Sequence, residues 1–201
     1  VYGAGLPSNV YAMAERPGID FDHGTIQSTG RDLDVSINGD GWLAVQAEDG
    51  TEAYTRAGDL RITPNGVLTT GTGLAVMGGG GPVAIPEADK VEIGSDGTVS
   101  IIPLGDSAAT LSTIDRIKLV NPELSDVEKG KDGLFRLKSG LDAQPSAEVR
   151  LVSGSVEGSN VSVVNAMVSM IELARNFELQ VKMMKTVSEN EAASAQLMRV
   201  S

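Results

Sequence analysis

The chain has 201 residues, a formal net charge of −11 and no cysteine. The absence of cysteine excludes disulfides, thiol catalysis and cysteine-based metal sites. The acidic balance, without a basic patch, argues against nucleic acid or an anionic membrane as a partner. No apolar run approaches the ~18 residues of a membrane span, so we expect no membrane insertion. Because the chain starts at Val1 rather than Met, we expect a trimmed or processed product.

Residues 1–31 show no sustained helical or strand period. Pro7, Pro17 and several glycines interrupt them. The segment therefore predicts an extended connector, with one short strand around Thr25–Gln27.

Residues 32–156 change to short β-type runs separated by turn dipeptides. Asn-Gly or Asp-Gly stands at 38–39, 40–41, 49–50, 65–66, 96–97 and 132–133, and such pairs supply the positive φ angles of tight hairpins. Many short strands at close spacing predict a mainly β body, barrel-like or sandwich-like, built from antiparallel strands. The predicted strands are 33–37, 42–47, 52–56, 59–62, 67–70, 74–77, 82–85, 90–93, 98–102, 116–120, 134–137 and 148–154.

Residues 157–201 are predicted to form a long C-terminal assembly helix of coiled-coil type. No Gly or Pro follows Ser159, and Ser159 or Asn160 is expected to cap the helix start. Apolar residues recur at alternating steps of four and three, which is the 3.5-residue period of a coiled-coil seam. The predicted assembly interface is Val163, Met167, Met170, Ala174, Phe177, Val181, Met184, Ala195 and Met198.

Two interpretations of this helix remain open. An amphipathic helix could pack along its own body. At ~1.5 Å per residue, however, the helix would be about 60 Å long, which is more than one small domain can cover. Methionine is frequent along it, and Met packs adaptably against imperfectly matched partners. We therefore favour a seam that receives other helices, from the same chain or from neighbouring subunits.

No pattern in the sequence indicates catalysis, a metal or a cofactor. His23 is the single histidine, so a histidine triad or histidine metal cluster has no partners. Gly78–Gly81 lacks the Gly-Lys-Ser/Thr of a phosphate loop and is more typical of a flexible hairpin connection. The acids of Asp32–Asp40 do not have calcium-loop spacing and are typical of turns and solvent-facing positions. We expect no enzyme and no small-molecule substrate.

Four ordered segments resemble the flagellar rod and hook family of bacteria. They are FDHGTIQSTGRDLDVSINGDGWLAV (21–45), YTRAGDLRITPNGVL (54–68), VEIGSDGTVSI (91–101) and VEGSNVSVVNAMVSMIELARNFELQVKMMKTVSE (156–189). The resemblance runs from about residue 20 to the end. The residues that carry the family signature are Thr29, Gly30, Leu33, Asp34, Gly39, Gly41, Trp42, Tyr54, Thr55, Arg56, Gly58, Glu157, Ser159, Asn160 and Val161.

The resemblance implies a structural subunit that polymerises through its terminal helix into the hollow drive shaft of the flagellum. The short body, RIKLVNP (116–122) and GLFRL (133–137) are most similar to a proximal rod subunit; a distal rod or hook-type subunit is the near alternative. The implied partners are other proximal rod proteins, the distal rod protein and the flagellar type III export apparatus. The implied location is the basal body, spanning the periplasm after export.

Two points stay open beside this resemblance. The family also carries an N-terminal helix ending in an Asn-x-x-Thr-Pro-Gly-Phe type of motif, which these residues lack. We therefore expect the 163–198 seam to be under-packed in this chain by itself. From a different class, a β-domain binding module with a helical dimerisation handle would also fit the predicted elements.

Overall fold

The computed structural model describes residues 20–105 and 111–198, with side chains of the helix as far as residue 190. Residues 1–19 of the expected connector (1–31) lie outside the described part of the chain. The described residues form fifteen strands and one long α-helix. They are β1 Ile26–Ser28, β2 Val35–Asn38, β3 Trp42–Gln46, β4 Glu52–Thr55, β5 Leu60–Ile62, β6 Leu68–Thr70, β7 Ala75–Val76, β8 Ala88–Ile93, β9 Thr98–Pro103, β10 Ser112–Arg116, β11 Leu119–Val120, β12 Val127–Lys129, β13 Phe135–Leu137, β14 Arg150–Ser153, β15 Ser155–Glu157 and α1 Val163–Met198.

All strand pairing is antiparallel, as the short turns predict. The largest sheet has the order β12-β13-β4-β3-β7-β6-β5, with β11 also beside β3. A three-stranded sheet has the order β10-β9-β8, and two pairs complete the body, β14 with β2 and β1 with β15. The mainly β body with one long terminal helix is confirmed.

Strand β3 lies at the centre because both of its faces are buried. Leu43 and Val45 face the main aliphatic core, whereas Trp42 and Ala44 face a second cluster around Tyr54. Successive side chains of a strand point to opposite faces, so one strand separates the two clusters. The main core is almost wholly aliphatic and includes Val35, Ile37, Leu60, Leu68, Val76, Val99, Ile117 and Leu151.

Most predicted strands are present, and the errors lie where the chain changes sheets. Residues 82–85 form only isolated bridges, because Pro82 and Pro86 cannot donate to a ladder. The predicted strand 116–120 is not continuous: it contains the last residue of β10, Arg116, and the two-residue strand β11. Between them, the N–H of Ile117 bonds Gly97 and that of Lys118 bonds Met77. Strands β12 and β15 were not predicted, and neither was β10 apart from its last residue, Arg116.

The predicted turn dipeptides are confirmed by the backbone. The glycine of each has a positive φ, between 77° at Gly66 and 126° at Gly41. Gly78 and Gly81 form a tight turn, with the N–H of Gly78 donating to the carbonyl of Gly81 over 2.6 Å. Local turn chemistry therefore sets the positions of the hairpins.

We expect Gly66→Val to lower the free energy of unfolding by about 1–3 kcal/mol. Gly66 has φ +77°, and an added Cβ would lie 2.5 Å from the carbonyl oxygen of Ile85. Gly50→Val is the control, since Gly50 has φ +84° but open space around it. Denaturant unfolding followed by the fluorescence of the single tryptophan measures both. Equal losses for the two variants would show that backbone strain, rather than the contact with Ile85, sets the cost.

The start of α1 differs from the prediction. The helix begins at Val163, and Ser162 is its cap: the N–H of Asn165 donates to Ser162 Oγ at 3.4 Å. Ser159 and Asn160 are wrong as caps because other groups use their side chains. Ser159 Oγ accepts the N–H of Val161, and the amide of Asn160 donates to the carbonyl of Asp22.

Every helix side chain from residue 163 to residue 190 is exposed. The alternative of a helix packed along its own body is therefore wrong for this part of α1. None of the helices within the described residues has a stretch both long and apolar enough for a membrane span.

Candidate assembly site

The predicted seam follows one side of α1 and has no partner among the described residues. The exposed fraction of its large residues ranges from 44% at Val181 to 66% at Phe177. Steps of four and three at 100° per residue keep them within one stripe of the helix surface. The side chains of Ala195 and Met198 lie outside the described part. The described members are Val163, Met167, Met170, Ala174, Phe177, Val181 and Met184.

A second apolar stripe was missed by the sequence analysis. Val164, Val168 and Ile171 repeat at the same steps, about one residue further round the helix, and are 48–69% exposed. Their spacing is visible in the sequence, since the same steps of four and three separate them. A helix that is apolar over so wide an angle is normally surrounded by other elements. The further exposed apolar residues of α1 are Leu173, Leu179, Met183 and Val187.

The signature residues near the helix gather around a two-stranded ribbon formed by β1 and β15. Ile26 pairs with Glu157, and Ser28 pairs with Ser155. At the end of the ribbon next to α1, its two chain segments approach each other very closely, since a Cβ added to Gly24 would lie 1.8 Å from the carbonyl oxygen of Gly158. Only glycine permits this approach. The chain before β1 and the chain entering α1 therefore leave the body side by side.

Arg56 fastens this ribbon to the body. Its Nε donates to Glu157 Oε2 at 2.7 Å, and its two terminal nitrogens donate to the carbonyls of Gly41 and Gly39 at 2.8 and 3.1 Å. The other carboxylate oxygen of Glu157 accepts the N–H of Gly24 at 2.9 Å. The Glu157 side chain is only 8% exposed. A planar guanidinium held at three points fixes direction as well as distance.

A second group of signature residues holds the opposite end of the ribbon. Asp34 is buried, accepts a hydrogen bond from Thr29 Oγ1 at 2.6 Å and lies 3.4 Å from the guanidinium of Arg31. The N–H groups of Thr29 and Gly30 both donate to Gly154. Leu33 packs against the main core. These residues position the ribbon on the body and offer no reactive group.

Trp42 forms part of the floor of an open cleft beside the ribbon, of about 570 Å³. Its ring lies 6.5 Å from that of Phe21 and 6.1 Å from that of Phe135. The indole N–H is buried and has no acceptor among the described residues. Acidic residues, including Asp22 and Asp40, are among those that line the cleft. Phe21 and Phe135 were not predicted, because only the fold brings them together.

Tyr54 anchors a buried polar network in the second core cluster. Its hydroxyl accepts the N–H of Ala143 at 2.7 Å and donates to Glu52 Oε1 at 3.0 Å. Glu52 also binds Lys118 at 2.8 Å. Burial is the main cause that raises the pKa of Tyr54 from 10.0 to about 12. The role of this signature residue is therefore structural.

We expect stability to fall between pH 10 and about 12 partly through Tyr54. The unfolded phenol ionises near 10, whereas the folded one holds its proton to about 12, so its contribution is complete below pH 10 and lost as pH rises through 12. Tyr54→Phe should show a smaller fall over this range, together with a lower stability at neutral pH because the Ala143 N–H loses its acceptor. Denaturant unfolding at several pH values measures both. Parallel pH profiles for the two proteins would contradict the assignment.

The remaining signature residues are less involved in the junction. Thr55 Oγ1 accepts the N–H of Ala57, and Gly58 lies against Val35 in the core. Val161 is 64% exposed. Among the described residues, no group of three or more His, Asp or Glu is placed to hold a metal ion. The arrangement offers an exposed apolar helix on a firmly held root, which is suited to binding other protein surfaces.

Two family profiles match the chain. Residues 36–101 match the D1 domain of the flagellar hook protein FlgE/F/G, and residues 152–197 match the C-terminal region of the flagellar basal body rod FlgEFG proteins. The first match covers β2 to β9, and the second covers the ribbon strand β15 and nearly all of α1.

Individual relatives extend this similarity to the whole chain. It is 42% identical over 207 aligned residues to the flagellar basal-body rod protein FlgF of Salmonella typhimurium, covering 100% of this chain and 82% of that protein. The FlgF of Escherichia coli gives the same identity and coverage. The rod protein FlgG of Bacillus subtilis is 38% identical, covering 85% of this chain and 68% of its own length.

Proposed function

This chain belongs to the bacterial flagellar basal-body rod family, and we propose that it polymerises into the rod by packing α1 against the terminal helices of neighbouring subunits. It is a structural subunit of that rod, of the FlgF type, and its place is the flagellar basal body. The family is a structural one, which implies that the chain is not an enzyme.

The observation that carries the proposal is the apolar surface of α1. Between residues 163 and 187 the large apolar residues of α1 are each at least 44% exposed. They form two stripes and also occupy further positions outside both stripes. Monomeric soluble proteins rarely leave so much contiguous apolar surface in water, and such surfaces mark interfaces. Burial of this surface would supply the driving force for polymerisation.

Two stripes indicate more than one neighbouring helix. The seam that contains Val181 is apolar from Val163 to Met184, where Ser188 follows, whereas the stripe of Val164, Val168 and Ile171 ends earlier, where Arg175 follows. A helix in a tube contacts neighbours on two sides, so we assign one stripe to each side. The coiled-coil packing of the longer stripe is part of this proposal.

The ribbon suggests where the chain before residue 20 joins the assembly. The amide of Asn160 donates to the carbonyls of Asp22 and Asp20, just ahead of α1. The point at which a preceding segment joins residue 20 would therefore lie next to the start of α1. We propose residues 1–31 as a connector, 32–156 as the body and 157–201 as the assembly helix, with β1 binding the connector to β15.

The proposed partners are other proximal rod proteins and the distal rod protein, through the helix surfaces described above. Delivery by the flagellar type III export apparatus and a position across the periplasm are further parts of the proposal, which family membership supports. The absence of cysteine is compatible with such a route, because the chain needs no disulfide to fold.

Sedimentation tests the proposal directly. The protein is measured over a range of concentrations, alone and mixed with separately purified rod subunits. Association that grows with concentration, and that truncation before Val163 removes, is the expected result. A protein that remains monomeric in every mixture would contradict polymerisation through α1.

A further inference from the structure

The orientation of α1 relative to the body is set at its root. No described side chain of the helix between residues 163 and 190 is buried against the body. The direction of the helix therefore depends on β15 and the residues between Glu157 and Val163. Those residues are held by the ribbon, whose β1 and β15 form a separate two-stranded sheet.

A two-stranded ribbon by itself is marginally stable and flexible. At the end remote from the helix, the body holds it by the bond from the Gly154 N–H to the Asp34 carbonyl and by the paired hydroxyls of Ser36 and Ser155. At the helix end, β15 is bonded to the body through Arg56 and Glu157. The chain entering β1 adds an exposed bond between His23 and Asp40 and the packing of Phe21 on Trp42. A ribbon held at one end can swing about it, whereas a ribbon held at both ends cannot.

The length of α1 makes this second attachment important. A helix of 36 residues is about 54 Å long. A tilt of about 10° at its root would move the far end by roughly 9 Å, which is more than one helical turn. Such an error would displace every seam residue near the tip from its position in a neighbouring helix.

We infer that Arg56 and Glu157 act as a latch that fixes the angle between the body and α1, so that each subunit presents its helix already aligned for assembly. The inference rests on the proposed polymerisation through α1 and adds two positioning residues to it. Arg56 joins the β2–β3 turn, through the carbonyls of Gly39 and Gly41, to the strand that enters the helix. Glu157 joins that strand to the incoming chain at Gly24.

The test measures the angle in the isolated subunit. The 201-residue chain has no cysteine, so Ser112→Cys on β10 and Asn176→Cys on α1 carry the only two spin labels. Pulsed dipolar spectroscopy, with the labelled protein diluted into unlabelled protein, gives the distribution of distances between them. We expect one narrow distribution, which becomes at least about twofold wider in Arg56→Gln.

Three further variants separate the latch from general damage. Glu157→Gln keeps the shape and one acceptor and should widen the distribution to a smaller extent. Arg56→Lys keeps the charge but loses the planar fork, so it should restore only part of the narrow distribution. Arg116→Gln is the matched control, because Arg116 also binds a carboxylate and a carbonyl of Asp96, away from the junction. It should leave the width unchanged.

Narrow distributions in both Arg56→Gln and Glu157→Gln would overturn the inference, as would a broad distribution in the unmodified protein. Should Arg56→Gln lose the folded fluorescence of Trp42, the isosteric Glu157→Gln decides the matter. Since the spectra report a single subunit, they do not depend on polymerisation. A latch that behaves as expected in a protein that never assembles would count against the proposed function alone.

Discussion

Val181→Asp is expected to leave a folded, soluble body and to abolish incorporation into the rod and motility. Val181 lies in the middle of the seam, is 44% exposed and makes no buried contact with the body. In an assembled seam the new carboxylate would lose its water without gaining a partner. The cost is several kcal/mol per subunit, and it recurs at every subunit of this kind.

The control is Lys182→Asp, one position further round the helix. Lys182 already carries a charge and is exposed, so its replacement should reduce assembly much less. The body is followed by the fluorescence of Trp42, which is 4% exposed and is the single tryptophan. The melting temperature of the body should be the same in both variants. Normal assembly of Val181→Asp would show that this stripe of α1 is not an interface.

Gly58→Ala is expected to destabilise the body by at least about 3 kcal/mol. A Cβ on Gly58 would lie 1.7 Å from the carbonyl oxygen of Val35, a backbone atom that cannot move aside without β2. The carbonyl of Gly58 also accepts the N–H groups of Val35 and Leu60 at 2.8 and 3.0 Å. The substitution therefore separates β2 from the loop between β4 and β5, next to the core residues Val35 and Leu60.

Thermal unfolding measures this loss, and a fall of about 10 °C or more is expected for a body of this size. Gly80→Ala is the matched control, because Gly80 is exposed, has no positive φ and has no heavy atom within 4 Å of an added Cβ. Its melting temperature should stay within a degree or two of the unmodified protein. A similarly small change for Gly58→Ala would mean that β2 and the loop after β4 are not in close contact.

The candidate site was predictable in one part and not in the other. The seam repeats along a continuous helix, so spacing alone identifies Val163, Met167 and Val181 as one stripe. The latch is different, since Arg56 and Glu157 are 101 residues apart in the chain. Each was recognised by its resemblance to a family motif, but no local pattern indicates that the two side chains meet.

The errors have a common cause. Ser159 and Asn160 are good capping residues by type, and local preference selects them. In the folded chain their side chains bind Val161 and the incoming segment, and the helix starts later, at Val163, with Ser162 as its cap. Residues 82–85 likewise have side chains typical of strands. Because Pro82 and Pro86 cannot donate backbone hydrogen bonds, these residues form only isolated bridges.

By itself, the sequence determined the hairpin positions, the mainly β class and the long terminal helix. Each depends on the backbone preferences or the periodicity of residues close together in the chain, such as Asn65-Gly66 and the steps of three and four after Val163. Only the tertiary structure decided the sheet order, the exposure of both stripes of α1 and the attachment of its root. Those features depend on which distant segments come into contact: Gly24 fits against Gly158 only when the two strands of the ribbon pair, and Arg56 reaches Glu157 only when the ribbon lies on the body.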